Sequence, residues 1–166
     1  LYELMSALYR GFHPTWDTSQ VRPKGTRLKT FGGRASGPEP LERLFRFITK
    51  MFYDAEGRRL ASLEVHDIVC MIGEIVIAGG VRRSALISLS DLDDREMARA
   101  KSGAWWEAAG HRSLSNNSAV YNSKPSLGRF LEEWSSLHDS KSGERGICNR
   151  EAMCKIAGIS GRDPHP

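Results

Sequence analysis

The sequence has 166 residues, of which 40% are hydrophobic and 27% are charged, and its formal net charge at pH 7 is +4. These values are typical of one ordinary globular domain and exclude a disordered or fibrous chain. The longest apolar run, residues 68–80, is too short for a membrane helix. The small basic excess is compatible with a polyanionic ligand such as a nucleotide or a nucleic acid.

The number and spacing of the cysteines indicate the cellular compartment in which the protein is found. Cys70, Cys148 and Cys154 are odd in number, and their spacings match neither a zinc module nor a disulfide framework. We therefore expect reduced thiols in a cytoplasmic protein. The chain begins at Leu1 with no signal peptide and finishes in a loop-like segment, so we expect it to be truncated at both ends.

The first half of the chain predicts helices around a long loop. Residues 2–10 indicate the end of an amphipathic helix, and residues 12–40 are dominated by turn formers and basic residues, as in a functional loop. Pro38 and Pro40 then open a helix. Its apolar residues recur at spacings of three and four: Leu41, Leu44, Phe45, Ile48 and Phe52.

A second long helix is predicted from Ser62, the expected N-cap, to the glycine pair at residues 79–80. Its apolar stripe is wide, as expected for a helix packed against a sheet. The stripe contains Val65, Ile68, Val69, Ile72, Ile75 and Val76.

The second half of the chain alternates strands and helices. The predicted elements are a strand at residues 84–89, a short helix capped by Asp91 and reaching Ala100, a strand at residues 118–121, a helix from Pro125, a strand at residues 146–149, and a helix over residues 150–156 that ends at Gly158. Strand–helix alternation with connections of this length predicts parallel strands and an α/β fold.

The segment at residues 22–38, called here the glycine loop, has a composition suited to phosphate. Its glycines allow backbone amides to approach a ligand, and the helix that follows directs its positive end at the loop. Its fixed positive charges are Arg22, Lys24, Arg27, Lys29 and Arg34. On chemistry alone, a solvated basic surface loop is an equally good interpretation. Neither a Walker nor a Rossmann glycine spacing is present.

Two further segments carry candidate chemistry. The sequence GGVRRSA at residues 79–85 is best interpreted as a helix C-terminus with complementary basic residues. Residues 101–114, called here the tryptophan loop, contain Trp105 and Trp106, which suit base stacking or an interface, although packed core is favoured about two to one. The pair Asn116 and Asn117 follows, suited to a turn cap or to ribose recognition.

Cysteine and histidine give no catalytic or metal-binding pattern. Cys70 lies in the middle of a predicted helix, where a buried, inert thiol is expected. His66 stands four residues before it, but two ligands do not form a metal site. No metal site is predicted.

Four sequence blocks resemble the class II ribonucleotide reductases, in the order that family has them. These blocks are VRPKG at residues 21–25 continuing to LKTFGGRASGPEPL at residues 28–41, residues 67–85, SNNS at residues 115–118, and SGERGICNRE at residues 142–151. The resemblance extends over essentially the whole chain. It is to the monomeric, adenosylcobalamin-dependent, triphosphate-using branch.

The resemblance implies part of a ten-stranded α/β barrel of the ribonucleotide reductase type, with residues 1–166 as a partial catalytic barrel domain. The full enzyme is expected to reduce the 2′-hydroxyl of a ribonucleotide through a cysteine thiyl radical generated with adenosylcobalamin. The resemblance further implies that the full enzyme is allosteric and serves deoxyribonucleotide synthesis. The partners it implies for the full enzyme are a ribonucleotide substrate, a deoxynucleotide effector and a thioredoxin-like reductant.

The resemblance also assigns roles to residues. Gly32, Gly33, Ala35 and Ser36 resemble a loop that runs close to the substrate. The tryptophan loop and the start of the strand behind it resemble an effector or specificity loop, with candidates Lys101, Gly103, Trp105, His111, Arg112, Asn116 and Asn117.

The sequence departs from the family at two points. The radical cysteine belongs to an Asn-Pro-Cys-x-Glu type motif that this sequence lacks, and none of its cysteines matches a catalytic position. Arg145 stands where a proline is expected after Glu144. We therefore expect the isolated chain to be inactive, with cobalamin bound mainly outside it. Three alternatives stay open: a dimeric diphosphate reductase, a small basic nucleic-acid-binding domain, and a structural α/β piece.

Overall fold

The computed structural model describes residues 1–29, 32–78, 81–82 and 84–162. The chain divides into two compact units, Leu1–Ala85 and Leu86–Pro166. The prediction of a single partial barrel domain remains a prediction.

The first unit is built around three helices, α1 (Tyr2–Tyr9), α2 (Glu39–Asp54) and α3 (Ser62–Ile75). Two prolines at the start of α2 suit its first turn, where the backbone N–H groups have no helical partner. The buried core combines one face of each helix: Leu4, Leu8, Leu44, Ile48, Ile68 and Met71. The spacing of the apolar residues in α1 and α2 predicted both helices correctly.

Helix α3 differs from its prediction at both ends. Its N-cap is Ala61 rather than Ser62, and the Glu64 carboxylate accepts a hydrogen bond from the Ala61 backbone N–H at 2.8 Å. The helix ends at Ile75 because the β-branched residues that follow favour extended backbone. Ile77–Ala78 form β1, which pairs antiparallel with β2 (Val81–Arg82). The predicted glycine terminus, Gly79 and Gly80, lies outside the described residues.

The packing of α3 also differs from expectation. Within its unit it packs against α2, not against a sheet, and its core residues belong to the helical cluster. Val65 and Val69 are exposed, so the buried stripe is narrower than the sequence pattern. A helix that packs on other helices needs only a narrow apolar stripe.

The second unit contains a parallel sheet of three strands in the order β3 (Leu86–Asp91), β4 (Ser115–Tyr121) and β5 (Gly146–Asn149). Between β3 and β4 lie α4 (Arg95–Ala98), α5 (Trp105–Ala109) and a 3₁₀ turn at Gly110–Leu114. Helix α6 (Leu127–Ser140) connects β4 to β5, and α7 (Arg150–Ile159) follows β5. The predicted α/β class and parallel pairing are therefore confirmed.

Several boundaries in this unit differ from their predictions. The cap of the short helix is Asp94, whose side chain accepts from the Met97 N–H at 2.9 Å, while Asp91 ends β3. Strand β4 begins three residues before its predicted start. Helix α7 continues through Gly158 to Ile159, because one glycine lowers helix stability without terminating the helix.

The two faces of the sheet have different surroundings. Ser90, Asn117 and Tyr121 lie on a buried face, where Met97 of α4 and Glu133 of α6 also lie. On the opposite face Ile87 pairs with Asn116, and Leu89 pairs with Ser118. Ile87 is 67% exposed and Leu89 39%. Val120, on the same face in β4, is 3% exposed, so this face, called here the open face, is open only along β3. The apolar alternation that predicted β3 thus belongs to the open face.

Among the described residues, none of the helices combines the length and apolar character that a membrane span requires.

Candidate functional site

The glycine loop forms a small hairpin. The Gly25 N–H donates to the Ala35 carbonyl at 2.9 Å, and the Ala35 N–H donates to the Thr26 carbonyl at 2.8 Å. Further along, the Leu28 N–H donates to the Gly33 carbonyl at 3.0 Å. An antiparallel bridge between Arg27 and Arg34 lies inside this ladder. The loop is therefore held by its own backbone rather than by a neighbouring strand.

The hairpin leaves its predicted substrate residues accessible. Gly32, Gly33 and Ser36 are exposed, and Ala35 is half-buried between its two backbone hydrogen bonds. Gly32 and Gly33 have φ values of +67° and +79°, a region that favours glycine. The neighbouring residues 30 and 31 of the same sequence block lie outside the described residues.

Gly37 closes the hairpin at a position that only glycine fits. Its φ is +86°, and a Cβ there would lie 3.0 Å from the Lys24 Cβ and 3.2 Å from the Lys24 backbone nitrogen. Glycine allows the two arms of the loop to approach each other at this point.

An open cavity of about 370 Å³ lies against one arm of the hairpin and is lined by Arg22, Thr26, Arg27 and Lys29. The three cations are exposed, and none forms an ion pair with a described residue. Arg34, by contrast, has a partner within the hairpin, since its Nη1 donates to the Gly25 carbonyl at 2.9 Å. The cavity has a cationic lining with no acidic residue among its described members.

In the tryptophan loop, the lysine that begins it is buried in an internal network. Lys101 is 7% exposed, and its Nζ donates to the Ser115 carbonyl and, at 2.8 Å, to Glu144 Oε1. Glu144 Oε2 accepts from the Asn117 N–H at 3.1 Å, and the Ser115 hydroxyl donates to Asn117 Oδ1 at 2.9 Å. The Lys101–Glu144 ion pair and its hydrogen bonds thus connect the tryptophan loop to the beginning of β4 and to the segment before β5.

The remaining candidates of this loop occupy mixed positions. Trp105 is half-buried, with its ring centroid 5.5 Å from the Lys101 Nζ. Trp106 is 60% exposed, so the packed-core interpretation is wrong for this residue. Arg112 donates to the Ala100 carbonyl at 2.8 Å and His111 is half-buried.

Gly103 and Asn116 complete the set, and both are exposed. Asn116 faces the open side of the sheet beside Ile87. The predicted residues therefore do not form one site: Lys101 and Asn117 belong to the buried network, while Gly103, Trp106 and Asn116 present accessible surface.

Sequence reasoning missed the role of Arg145, which replaces the expected proline. Its guanidinium bonds both oxygens of Glu133, at 3.0 and 2.8 Å, and donates to Ser90 Oγ and to the carbonyls of Asp91 and Leu92. The Glu144–Arg145 peptide bond is cis. The side chain is almost completely buried and joins β3, α6 and β5. No local pattern indicates this role, because the partners are 12 to 55 residues away.

The tyrosine at the end of β4 lies beside this cluster. Tyr121 is 5% exposed, and its hydroxyl has no hydrogen-bond partner among the described residues. Burial, followed by the nearby Glu133 carboxylate, raises the pKa of Tyr121.

The three cysteines form no disulfide and lie in three separate settings. Cys70 is fully buried on α3, with its Sγ 3.7 Å from His66 Nε2, as expected for an inert core thiol. Cys148 and Cys154 are half-buried. The described residues contain no group of three or more histidine, cysteine or acidic side chains that would hold a metal ion.

The comparisons with known proteins give a consistent result. The chain is 36% identical over 149 residues to the adenosylcobalamin-dependent ribonucleoside-triphosphate reductase of Lacticaseibacillus paracasei. The matched region covers 89% of this chain. It is 36% identical over 135 residues to the Lactobacillus helveticus protein of the same name and 37% identical over 107 residues to that of Lactobacillus leichmannii. No family model matches the chain, and no solved structure matches it.

The chain is much shorter than these relatives. It spans 19% of the Lacticaseibacillus paracasei protein and 17% of the Lactobacillus helveticus protein. The matched region extends through nearly all of this chain, so both units take part in the similarity. The chain therefore belongs to the adenosylcobalamin-dependent ribonucleoside-triphosphate reductase family, in which it corresponds to a segment of under one fifth of the relatives' length.

Proposed function

We propose that this chain is a segment of an enzyme that reduces ribonucleoside triphosphates to deoxyribonucleotides. The observation that supports this proposal most strongly is the 36% identity over 149 residues to a relative named for that activity. The relatives compared above are all named as triphosphate reductases, which favours the triphosphate over the diphosphate alternative. A cytoplasmic location is part of the proposal, supported by three cysteines that form no disulfide with one another.

The cofactor of the proposed enzyme is adenosylcobalamin, which supplies the radical chemistry when bound. We place the cobalamin site and the radical cysteine in other parts of the enzyme. This placement is supported by Cys70, which is fully buried on α3, and by the resemblance, which aligns neither Cys148 nor Cys154 with a catalytic position. The role left for this segment is to help shape and position the nucleotide sites.

The architecture proposed for the whole enzyme is a ten-stranded α/β barrel. A parallel sheet of three strands with helices in its connections is what a portion of such a barrel requires. The open face, with Ile87, Leu89 and Asn116, would then face the barrel interior. The further strands of the barrel would cover the apolar side chains there.

We propose the glycine loop as the substrate-side element of this segment. Its support is the accessibility of Gly32, Gly33 and Ser36 on a hairpin stiffened by backbone hydrogen bonds. A Ser36→Ala variant of the whole enzyme should raise KM for the ribonucleotide by up to about tenfold, because one neutral hydrogen bond contributes about 1 kcal/mol. Steady-state kinetics measures this, with Ser123→Ala, an exposed serine of the second unit, as the control. Unchanged substrate constants in Ser36→Ala would refute the assignment.

We propose the exposed residues of the tryptophan loop, Gly103 and Trp106, as the surface that meets a deoxynucleotide effector. Buried Lys101 and Asn117 would hold that surface in position, and His111, Arg112 and Trp105 would support it from beneath. A thioredoxin-like reductant is the expected electron donor of the whole enzyme.

A chimeric enzyme tests the proposal directly. The matching segment of the Lacticaseibacillus paracasei reductase is replaced by this chain, and ribonucleotide reduction is measured with adenosylcobalamin. Turnover by the chimera is the expected result. A chimera that folds and binds nucleotide but gives no product would show that this segment has lost the function of its relatives. A nucleic-acid-binding role would instead appear as oligonucleotide affinity that falls steeply with salt.

A further inference from the structure

A large cavity in the first unit has no role in the proposed function. Its volume is about 710 Å³, and it lies where α1 and α2 end and where the connection to α3 begins. Its described lining shares no residue with the glycine loop. The buried and half-buried members of the lining, which form its floor, are all apolar: Leu8, Phe52, Ala55 and Leu60. An apolar floor and a volume of about 300–1,000 Å³ are typical of small-molecule sites.

The backbone around the cavity is ordered by hydrogen bonds at the ends of both helices. The Gly11 N–H donates to the Leu8 carbonyl at 3.0 Å. The Phe12 N–H donates to the Ala7 carbonyl, also at 3.0 Å. With Gly11 at φ +76°, these bonds form a Schellman motif that ends α1 just before Phe12, which lines the cavity. At the end of α2 the Ala55 N–H donates to a carbonyl of the last turn at 3.0 Å. The cavity is therefore formed in advance, which lowers the conformational cost of binding a ligand.

Aromatic side chains surround the opening of the cavity. The rings of Tyr9 and Phe52 meet edge to face, with centroids 4.9 Å apart. The Tyr53 hydroxyl and His13 Nδ1 share a hydrogen bond of 2.6 Å, and the two ring centroids are 5.4 Å apart. Tyr9 is 70% exposed and Phe12 is 62% exposed. Apolar ring faces that remain open to solvent around a concave surface indicate a binding site, and they suit a planar aromatic ligand.

One guanidinium at the rim is available to such a ligand. Arg58 is engaged by Glu64 through hydrogen bonds of 2.7 and 2.6 Å. Arg59 is exposed, and its side chain forms no ion pair with a residue that the structure describes. Glu56 is the single acidic residue of the described lining, and no ion pair joins it to Arg59. Because a guanidinium binds a carboxylate or a sulfonate through two parallel hydrogen bonds, Arg59 suits a ligand with an anionic group.

We propose that this cavity binds a planar aromatic acid, with its ring on the apolar floor beside Phe12 and its anionic group on Arg59. A nucleobase is disfavoured, because Leu8, Phe52 and Leu60 have no polar atoms to bond the edge of a base. The aromatic acid is not a reactant of the proposed reduction, so this binding is separate from the proposed function.

The test measures dye fluorescence with the whole protein that contains this segment. The probe is 8-anilinonaphthalene-1-sulfonate, a planar aromatic anion that reports apolar surroundings. Its neutral counterpart, N-phenyl-1-naphthylamine, has the same rings without the sulfonate. The variants are Arg59→Gln, Glu56→Gln and Phe12→Ser. The controls are Arg162→Gln, which removes an exposed arginine, and Tyr2→Ser, which removes an exposed ring of α1 outside the cavity lining.

The Arg59→Gln variant should bind the sulfonate dye about tenfold more weakly than wild type, because it loses a charge-assisted contact. Its affinity for the neutral dye should stay within about twofold. The Glu56→Gln variant should bind the sulfonate dye more tightly, because it removes a negative charge from the rim. Both substitutions are at exposed positions and leave the fold intact.

The Phe12→Ser variant should bind both dyes at least about tenfold more weakly, because it removes apolar contact area. Both control variants should match wild type. The part of the dye titration that is lost in Phe12→Ser identifies binding at this cavity and separates it from dye bound elsewhere on the protein.

Three results would overturn the inference. If the folded whole protein binds neither dye in a way that Phe12→Ser alters, another part of the polypeptide fills the cavity. Equal losses of the sulfonate and neutral dyes in Arg59→Gln would reject Arg59 as the ligand of the anionic group. Displacement of the dye from this cavity by a ribonucleoside triphosphate would show that the cavity is part of a nucleotide site.

Discussion

At the scale of single residues, the second unit depends on buried charges that are fully paired. Lys101 and Glu144 have side chains 6% and 19% exposed, and those of Arg145 and Glu133 are 4% and 12% exposed. A buried charge that loses its partner is strongly destabilising, because the remaining charge has neither solvent nor counter-ion. Both pairs connect segments far apart in sequence, so each fixes the relative position of several elements of the unit.

The Lys101→Met substitution should destabilise the second unit by about 3 kcal/mol. This value is near the lower end of the range for breaking a buried ion pair, because Glu144 keeps some solvent contact. Hydrogen exchange of the β4 amides in the whole protein measures the change. Lys155→Met, which removes an exposed ion pair with Glu151, is the control and should cost under about 1 kcal/mol. Equal effects of the two substitutions would show that the Lys101 network does not stabilise the loop.

A second residue-scale prediction concerns pH and the start of α3. Two hydrogen bonds from Arg58, followed by the one from the Ala61 N–H, lower the pKa of Glu64 to about 2 from its ordinary 4.5. The folded state therefore binds a proton less readily than the unfolded state. The stabilisation is complete above about pH 4.5 and is lost as the pH falls through about 2.

Wild type should therefore protect two amides at the start of α3 better than Glu64→Gln at pH 6: that of Ala61, which donates to Glu64, and that of Val65, which donates to the Ala61 carbonyl. The difference should shrink steadily below pH 4.5. Amide exchange, corrected for its intrinsic pH dependence, measures this. Glu151→Gln, at the start of α7, serves as the control for removing an exposed carboxylate. A difference between wild type and Glu64→Gln that is constant from pH 6 to pH 3 would contradict the account.

At the scale of elements, local patterns predicted the helices and strands but not their limits. The spacing of Leu44 and Ile48 is enough to place α2, since the periodicity of a helix is a local property. The cap at Asp94 and the end of α3 depend on competition between neighbouring side chains and strands. A strand alternation indicates two faces but not which one is covered, so Ile87 and Leu89 on the open face were not foreseen.

The candidate site was less predictable than the fold. The composition of the glycine loop indicated anion binding, because glycine and arginine act through local chemistry. Neither the Lys101–Glu144 pair, 43 residues apart, nor the five hydrogen bonds of Arg145 leaves a local signal. These contacts exist only once the three strands are assembled.

The open sheet face leads to an element-scale prediction. The Ile87→Asp/Leu89→Asp double variant should reduce self-association of the isolated chain, because it removes exposed apolar surface and adds charge. The same variant should prevent folding of the whole protein if further strands cover this face, since it would bury two unpaired carboxylates. Ser123→Asp/Ser135→Asp adds the same charge at exposed polar positions and is the control.

Light scattering of the chain and the soluble yield of the whole protein give the two readouts. If the Ile87→Asp/Leu89→Asp variant leaves the whole protein as stable as the control, the face is open to solvent and is not the inner surface of a barrel.

At the scale of the whole molecule, the two units contribute different kinds of groups. The first presents a hairpin with accessible glycines and unpaired cations, and the second presents an accessible loop held by a buried ion pair. The composition of the chain by itself indicates nucleotide-binding loops on an α/β framework. The specific chemistry comes from the similarity to proteins about five times longer, because the radical cysteine and the cobalamin site are proposed to lie in the rest of the enzyme.

The most direct measurement is an assay of the whole protein containing this chain for ribonucleoside triphosphate reduction, with and without adenosylcobalamin and with a dithiol reductant. We predict deoxyribonucleotide formation that requires the cobalamin and is lost when the cysteine of an Asn-Pro-Cys-x-Glu type motif, located elsewhere in the protein, is replaced by serine. Product formation that is indifferent to adenosylcobalamin, or no product from a folded protein that binds the triphosphate, would contradict the account.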